Sequence, residues 1–214
     1  MYGKRFALVL TLVLVLAMVF TSCKPAVKLA KTLNMNHATE PPTVDPNLST
    51  DTTSVQCDFL MFMGLTRLDV ITVEPKPWLA TEWKASADGL TWTFKLRKDV
   101  FWVKYDSATD KVEKKRAVTA NDIVYSVKRA ADPATASDYA YVDYIIQNAQ
   151  AVNTGESTDL DSVGVKAVDD YTVEFTLTQP AGYFPAIAGL WTNYPVPKEA
   201  VDEFGDKWTD PGNI

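Results

Sequence analysis

Apolar residues recur at every second position in several segments of this chain, a period that predicts β-strands. The clearest group is Trp92, Phe94 and Leu96, which are expected to share one buried face of a strand. Residues 163–168 and 171–177 alternate in the same way on either side of two aspartates. They are predicted to form a hairpin with a two-residue acidic turn.

Other segments place apolar residues three or four positions apart, which predicts helices. A helix is expected over residues 51–63, capped by Thr50 or Asp51. Its apolar face is expected to be buried and consists of Val55, Phe59, Leu60 and Met63. A second helix is predicted to begin after Thr119, with Asp122 completing a capping box. Shorter helices are predicted at residues 139–151, 183–190 and 198–204.

The remaining segments complete a mixed α/β pattern of the α+β kind. Strands are expected at residues 65–68 and 70–71, and the Pro-rich stretch 37–50 is expected to be a loop. The charged stretch 105–116 is expected to be an exposed loop or hairpin.

The N-terminus has the layout of an export signal. Lys4 and Arg5 precede an almost unbroken apolar run, Phe6–Phe20, and small residues lead to Cys23. This arrangement resembles a bacterial lipobox, in which the cysteine becomes the lipid-bearing N-terminus. A plain cleaved signal is the alternative. A membrane-spanning anchor fits less well, because fifteen helical residues extend only about 22 Å against the roughly 30 Å of a hydrocarbon core.

Composition indicates a globular exported domain with an acidic surface. Apolar residues make up 47% of the chain and charged residues 22%, and the net charge of −6 becomes more negative once Lys4 and Arg5 are removed. Nucleic acid is therefore not expected as a partner, because phosphate binding requires clustered cations. With Cys23 lipidated, Cys57 has no disulfide partner and is expected to be a small buried side chain.

The sequence carries no recognisable catalytic motif. The single histidine, His37, lies in the Pro-rich loop, and there is no nucleophile elbow, phosphate-binding loop or zinc-binding pattern. No enzyme activity, cofactor or metal is therefore predicted. A surface hydrolase that uses paired carboxylates is the competing class, but no spacing supports such a pair.

Several motifs in a fixed order resemble the family 5 extracellular solute-binding proteins of bacterial ABC importers. Two further stretches, residues 131–137 and 195–208, are most similar to the oligopeptide-binding branch, and the resemblance covers roughly residues 30–214. The motifs that carry it are Val44–Pro46, Met63–Leu65, Pro77–Trp83, Ser86–Arg97, Val118–Ser126 and Val168–Val173.

This resemblance implies a two-lobed, type II periplasmic-binding-protein-like fold, of which the chain is expected to be the N-terminal portion. Residues 1–22 are then the lipoprotein signal, and residues 23–64 are the tether and the first segment of the main lobe. Residues 65–190 are expected to form an inserted β-rich subdomain. Residues 191–214 are expected to return toward the main lobe, where the chain is expected to be truncated.

The resemblance also implies the ligand-binding residues. Thr50, Asp51 and Thr52 match a segment that binds the peptide backbone in the family, and Tyr139 matches a tyrosine that contacts ligand. Trp191 is expected to line the cleft. Helix capping is the alternative role for residues 50–52, and core packing is the alternative for the two aromatic residues.

The implied function is that of a substrate-binding lipoprotein that captures oligopeptides and delivers them to ABC permease subunits. It is expected outside the cytoplasm, held on the cell membrane by its lipid anchor or in the periplasm. The alternatives are a binding protein for another solute, such as a dipeptide, a nickel complex or a sugar, and a truncated lipoprotein without a transport role. Charged groups that grip the peptide termini are expected in a second lobe beyond these residues.

Overall fold

The computed structural model describes residues 3, 35–106 and 108–214. Apart from residue 3, the predicted signal (residues 1–22) lies outside these residues, as do Cys23 and most of the predicted tether. The helices are α1 (Thr52–Met61), α2 (Ala120–Ala131), α3 (Ala149–Asn153), α4 (Phe184–Ile187) and α5 (Lys198–Phe204). The strands are β1 (Thr66–Leu68), β2 (Pro75–Pro77), β3 (Ala80–Ala85), β4 (Thr91–Leu96), β5 (Phe101–Asp106), β6 (Lys111–Ala117), β7 (Val165–Asp169) and β8 (Thr172–Thr176).

Four antiparallel strands form the central sheet, in the order β3-β4-β8-β7. The predicted face of β4 is buried, since Trp92, Phe94 and Leu96 are each at most 9% exposed. Trp92 pairs with Phe175 of β8, and the Phe94 and Phe175 rings meet edge to face at 5.7 Å. The alternation in sequence therefore identifies the core side of this sheet correctly.

The predicted hairpin at residues 163–177 is confirmed as β7 and β8. The two residues between the strands are Asp170 and Tyr171, one position later than the sequence pattern suggests. The shift has a local cause. The Asp169 carboxylate accepts hydrogen bonds from the Tyr171 amide at 2.8 Å and from the Thr172 hydroxyl at 2.8 Å, which closes the turn after Asp169.

Helix α2 covers this sheet and begins where the capping box predicts. The Thr119 backbone amide donates to Asp122 Oδ2 at 2.8 Å. The side chains of Ile123 and Val127 are fully buried, and the helix ends before Asp132. The amphipathic pattern therefore positions α2 with its apolar face on the core.

Two predicted elements around the sheet are wrong. Residues 70–71 are not a strand: Val70 is 97% exposed, and the Asp69 carboxylate accepts the Ile71 amide at 2.9 Å in a turn. Residues 139–151 are not one helix. They divide into a 3-10 turn at Ala140–Asp143, a bridge from Ile146 to Leu177, and α3. Because Ile146 pairs with the distant Leu177, one residue after β8, it cannot belong to a local helix.

The charged stretch at residues 105–116 lies in the exposed hairpin of β5 and β6, which pair only with each other. The side chains of β6 are exposed from Lys111 to Arg116. One of the two structures allowed by the sequence, the hairpin, is therefore the one that forms.

A second apolar cluster joins the beginning and the end of the described chain. It consists of Phe62, Tyr194, Val196, Ala200 and Trp208. Gly64 lies against the Tyr194 ring so closely that any Cβ there would overlap it. Residues before position 64 and after position 191 therefore share a core that is distinct from the one beneath the central sheet.

Helix α1 does not bury the face that its sequence predicts. Phe59 and Leu60 are 49% and 60% exposed, whereas the polar Ser54 and Asp58 are fully buried. Cys57, expected to be buried, is a partly exposed free thiol whose pKa is raised by burial. Local periodicity marks an apolar face but does not specify what covers it.

A buried ion pair holds the loop before α1. Arg129 of α2 donates to both carboxylate oxygens of Asp45, at 2.9 and 2.7 Å, and Trp208 Nε1 donates to Asp45 Oδ2 at 2.7 Å. The side chains of Arg129 and Asp45 are 11% and 3% exposed. Three distant segments therefore meet at one carboxylate.

We expect Arg129→Met to lower the free energy of unfolding by about 3–5 kcal/mol, because it leaves the Asp45 charge buried without a cation. Lys128→Met is the matched control, since the neighbouring Lys128 pairs with Asp161, whose side chain is 93% exposed. That change should cost at most about 1 kcal/mol. Equal losses in urea denaturation would contradict a special role for the Asp45 pair.

Candidate functional site

The five residues proposed to bind ligand line one open cavity of about 310 Å³. Thr50, Asp51 and Thr52 form one side of it, and Tyr139 and Trp191 form the other. These positions are up to 141 residues apart in sequence, so the fold, not the local pattern, brings them together. Their contact with a ligand stays a prediction.

The first wall is the beginning of α1. Asp51 caps the helix, with Oδ1 accepting the backbone amides of Thr53 at 2.9 Å and Ser54 at 3.0 Å. The nearby Ser54 hydroxyl and these amides lower the pKa of Asp51. Thr50 and Thr52 are exposed on either side of the cap. Capping therefore occupies Asp51 Oδ1 and leaves both threonine side chains exposed to solvent.

The second wall is aromatic. The rings of Tyr139 and Trp191 meet edge to face with centroids 4.9 Å apart, and Tyr141 lies 5.7 Å from Tyr139. Trp191 Nε1 donates to the backbone carbonyl of Ser49 at 2.9 Å. Both predicted aromatic residues are partly exposed, so each can present a ring face to a bound molecule.

Three further residues of α1 complete the cavity: Val55, Gln56 and Phe59. Sequence analysis placed Val55 and Phe59 on a buried helix face and did not consider Gln56. Helical spacing could have identified these three residues, because positions 52, 55, 56 and 59 lie on one side of a helix that begins at Thr52.

The two walls are joined by a buried amide. Asn47 Nδ2 donates to the Thr192 carbonyl at 2.7 Å and to Ser126 Oγ at 3.0 Å, and Asn47 Oδ1 accepts from Arg129 at 2.7 Å. Together with the bond from Trp191 to Ser49, this fixes the loop before α1 against the turn that carries Trp191. The cavity is therefore held by hydrogen bonds whose partners lie far apart in sequence.

Behind the first wall lies a buried acid. Asp58 is fully buried and neither carboxylate oxygen has a hydrogen-bond partner among the described residues. Burial raises the pKa of Asp58 to about 6. The nearby Ser49 hydroxyl lowers this pKa, and the negative charges of Asp45 and Asp51 raise it. The carboxyl is therefore mostly neutral in mildly acidic solution.

A larger apolar groove, about 530 Å³, lies on the other side of Phe59. Residues 60–63 of the α1 region, Trp78 and the first part of β5 line it. Apart from Phe59 it shares no residue with the cavity described above, and it contains none of the predicted ligand residues. Its size alone does not make it the ligand site.

Neither a metal centre nor a membrane span is found in the described part of the chain. No group of three or more potential metal-ligating side chains is found among residues 35–106 and 108–214. Within the same ranges, every helix is too short or too polar to cross a bilayer.

Comparison with known proteins identifies the family to which this fold belongs. Residues 74–214 match the family model described as "Bacterial extracellular solute-binding proteins, family 5 Middle". The chain belongs to this family, as the ordered motifs indicated.

Individual relatives of the chain support this family assignment. The chain is 36% identical over 216 residues to the oligopeptide-binding protein OppA of Bacillus subtilis, covering 96% of this chain and 37% of that protein. It is 38% identical to the periplasmic oligopeptide-binding protein OppA of Escherichia coli, covering 86% of this chain and 32% of that protein. The chain thus spans about a third of the length of these relatives.

A solved structure gives the same fold. Listeria monocytogenes OppA bound to peptide superimposes with a TM-score of 0.74 at 33% identity, covering 85% of this chain and 34% of that one. The mixed α/β fold predicted from the sequence is confirmed as that of part of an OppA-type periplasmic binding protein.

The buried Asp58 gives a pH-dependent prediction. Because its folded pKa, about 6, is above the unfolded value of 3.8, the folded state binds the proton more tightly. Its contribution to stability is thus fully present below pH 4 and is lost as the pH rises through 6. Asp58→Asn should raise the free energy of unfolding by about 1–3 kcal/mol at pH 8 and change it little at pH 4.

The same substitution at the exposed Asp138 serves as the control for Asp58→Asn. Urea denaturation at both pH values measures the difference between the two variants. A gain from Asp58→Asn that is equal at pH 4 and pH 8 would show that Asp58 carries no raised pKa.

Proposed function

We propose that this chain is the N-terminal part of a substrate-binding lipoprotein that captures oligopeptides and delivers them to the permease of an ABC importer. The observation that carries the proposal is the meeting of four family-matched positions, together with Trp191, in one open cavity. Exposed threonines beside aromatic rings suit an extended peptide, which needs polar contacts along its backbone and apolar contacts at its side chains.

The proposed organisation gives the cavity an opposing surface from another lobe of a longer protein. Residues 23–64 and 191–214 belong to the main lobe, and residues 65–190 belong to the inserted subdomain. The cluster that joins Phe62 to Tyr194 and Trp208 supports grouping residues 23–64 with residues 191–214, and Trp78, Trp102 and Tyr125 of the inserted segment pack against it. A two-lobed protein closes over its ligand and expels water, whereas one lobe alone leaves the ligand open to solvent on one side.

The protein is proposed to bind and not to transform its ligand. Relatives named for binding oligopeptides support this role, and the sequence offers no nucleophile or general base in a recognised motif. It is proposed to act outside the cytoplasm, anchored through lipid on Cys23, with peptide and permease as partners and without a cofactor.

Peptide binding is tested with the full-length protein and a set of tri- to pentapeptides. We expect a peptide-dependent rise in melting temperature, and no such rise for residues 23–214 alone, because half of the enclosure is absent. Tight peptide binding by residues 23–214 would contradict the need for a second lobe. No response of the full-length protein to any peptide would contradict the function itself.

The site is tested by removing its rings. Tyr139→Ala and Trp191→Ala should each weaken peptide binding in the full-length protein roughly tenfold, as measured by calorimetry, because each removes aromatic contact area. Tyr183→Ala is the matched control, since Tyr183 is 57% exposed and lies outside the cavity. A loss as large for Tyr183→Ala would argue against the proposed cavity.

Lipid anchoring is tested by exchanging the two cysteines separately. Cys23→Ser should abolish incorporation of labelled palmitate and release the protein from the membrane fraction, while Cys57→Ser should do neither. Globomycin should block processing of the unaltered protein. Retention of labelled lipid by the Cys23→Ser protein would rule out this anchor.

A further inference from the structure

Two buried polar side chains connect the segments that carry the aromatic wall. Asp143 ends the 3-10 turn that begins directly after Tyr139, and Asn193 ends the 3-10 turn that begins at Trp191. Asn193 Nδ2 donates to Asp143 Oδ1 at 2.9 Å, and the two residues are 1% and 0% exposed. This bond therefore links the backbone behind one ring to the backbone behind the other.

The remaining oxygen of each group lacks a partner. Among the described residues, neither Asp143 Oδ2 nor Asn193 Oδ1 has a hydrogen bond, although both are buried. The amide orientation is fixed, because Asn193 Nδ2 donates to Asp143 Oδ1 and also to the Ile187 carbonyl at 3.2 Å. A proton on the carboxyl supplies the donor that this pair lacks, since Asn193 Oδ1 can only accept.

Within residues 35–106 and 108–214, no Lys, Arg or His side chain pairs with Asp143. Helices α2 and α3 pack against its turn, and α3 carries no ionisable side chain, nor does the turn at residues 191–193. The ionisable groups of α2 make no hydrogen bond to Asp143 among the described contacts. They are Asp122, which pairs with Arg116; Lys128, which pairs with Asp161; Arg129, which pairs with Asp45; and Tyr125.

Burial accordingly raises the pKa of Asp143 to about 7, although the hydrogen bond from Asn193 opposes the effect. An ionised carboxylate here would lie beside the amide with one oxygen unsatisfied, which is costly in a buried site.

We propose that Asp143 is held as a neutral carboxylic acid in a reciprocal pair with the Asn193 carboxamide, and that this pair positions Tyr139 against Trp191. In the pair, Asn193 Nδ2 donates to Asp143 Oδ1, and the Asp143 Oδ2 hydroxyl donates to Asn193 Oδ1. Asp143 is a positioning residue, because it is buried behind the cavity and does not line it. Its effect on ligand rests on the proposed function; the protonated pair itself does not.

The pair makes ligand affinity depend on pH. As the pH rises through 7, Asp143 loses its proton and the second hydrogen bond breaks. The new charge then favours separation of the two turns and entry of water. Peptide affinity should therefore be highest in mildly acidic solution and should fall at least fivefold between pH 5.5 and pH 8.5.

The experiment has two readouts in the full-length protein. Carbon-13 NMR of labelled aspartate carboxyls, assigned through backbone correlations, should show Asp143 titrating near pH 7. Calorimetry with a tripeptide that binds should show the fall in affinity. Asp143→Asn should remove both effects and keep tight binding at pH 8.5, because an amide pair reproduces the neutral acid pair.

Asp58→Asn is the control, because Asp58 is also a buried acid with a raised pKa and does not line the cavity. It should retain the fall in affinity.

A normal Asp143 titration near pH 4 would overturn the protonated pair, and an affinity that does not change with pH while Asp143 titrates near 7 would overturn the positioning role. If Asp143→Asn does not fold, the titration and pH profile of the unaltered protein still decide. Absence of peptide binding at every pH would count against the proposed function, and the NMR titration would decide the pair alone.

Discussion

The ion pair between Asp45 and Arg129 is the constraint on which the rest of the structure depends. A carboxylate that is 3% exposed is tolerated only because a guanidinium binds both of its oxygens and an indole N–H binds one of them. These donors come from α2 and from Trp208, near the end of the chain. The loop before α1 therefore cannot move without exposing or abandoning a buried charge.

This anchoring explains how a site with widely separated parts holds its shape. Asn47 lies two residues from Asp45 and shares Arg129 with it, and its amide reaches Thr192. On the far side, Asn193 binds Asp143 behind Tyr139. The cavity is thus bounded by short segments of low regularity, each fixed by a buried polar bond to a helix or a neighbouring turn. Such bonds give defined geometry where apolar packing alone would allow several arrangements.

Sequence-based predictions were correct where the structure depends on local interactions and wrong where it depends on contacts far apart in sequence. The alternation at Trp92–Leu96 and the capping box at Thr119 were correct, because both depend on neighbours within a few residues. The segment 139–151 was wrong because Ile146 pairs with Leu177, a contact with no local signature. The candidate site came from family resemblance. Periodicity alone would have placed Val55 and Phe59 in a core and given no reason to join Thr50 to Trp191.

The inverted burial of α1 has a practical consequence for anyone who handles this polypeptide. Phe59, Leu60, Met61, Val103 and Tyr105 are each between 47% and 60% exposed, and all five line one groove. A surface of this kind is adhesive in water, because covering it releases hydration water at little steric cost. Samples of the fragment 23–214 should therefore be kept dilute, with mild detergent or arginine in the buffer. Light scattering should confirm that they are monomeric before any ligand is added.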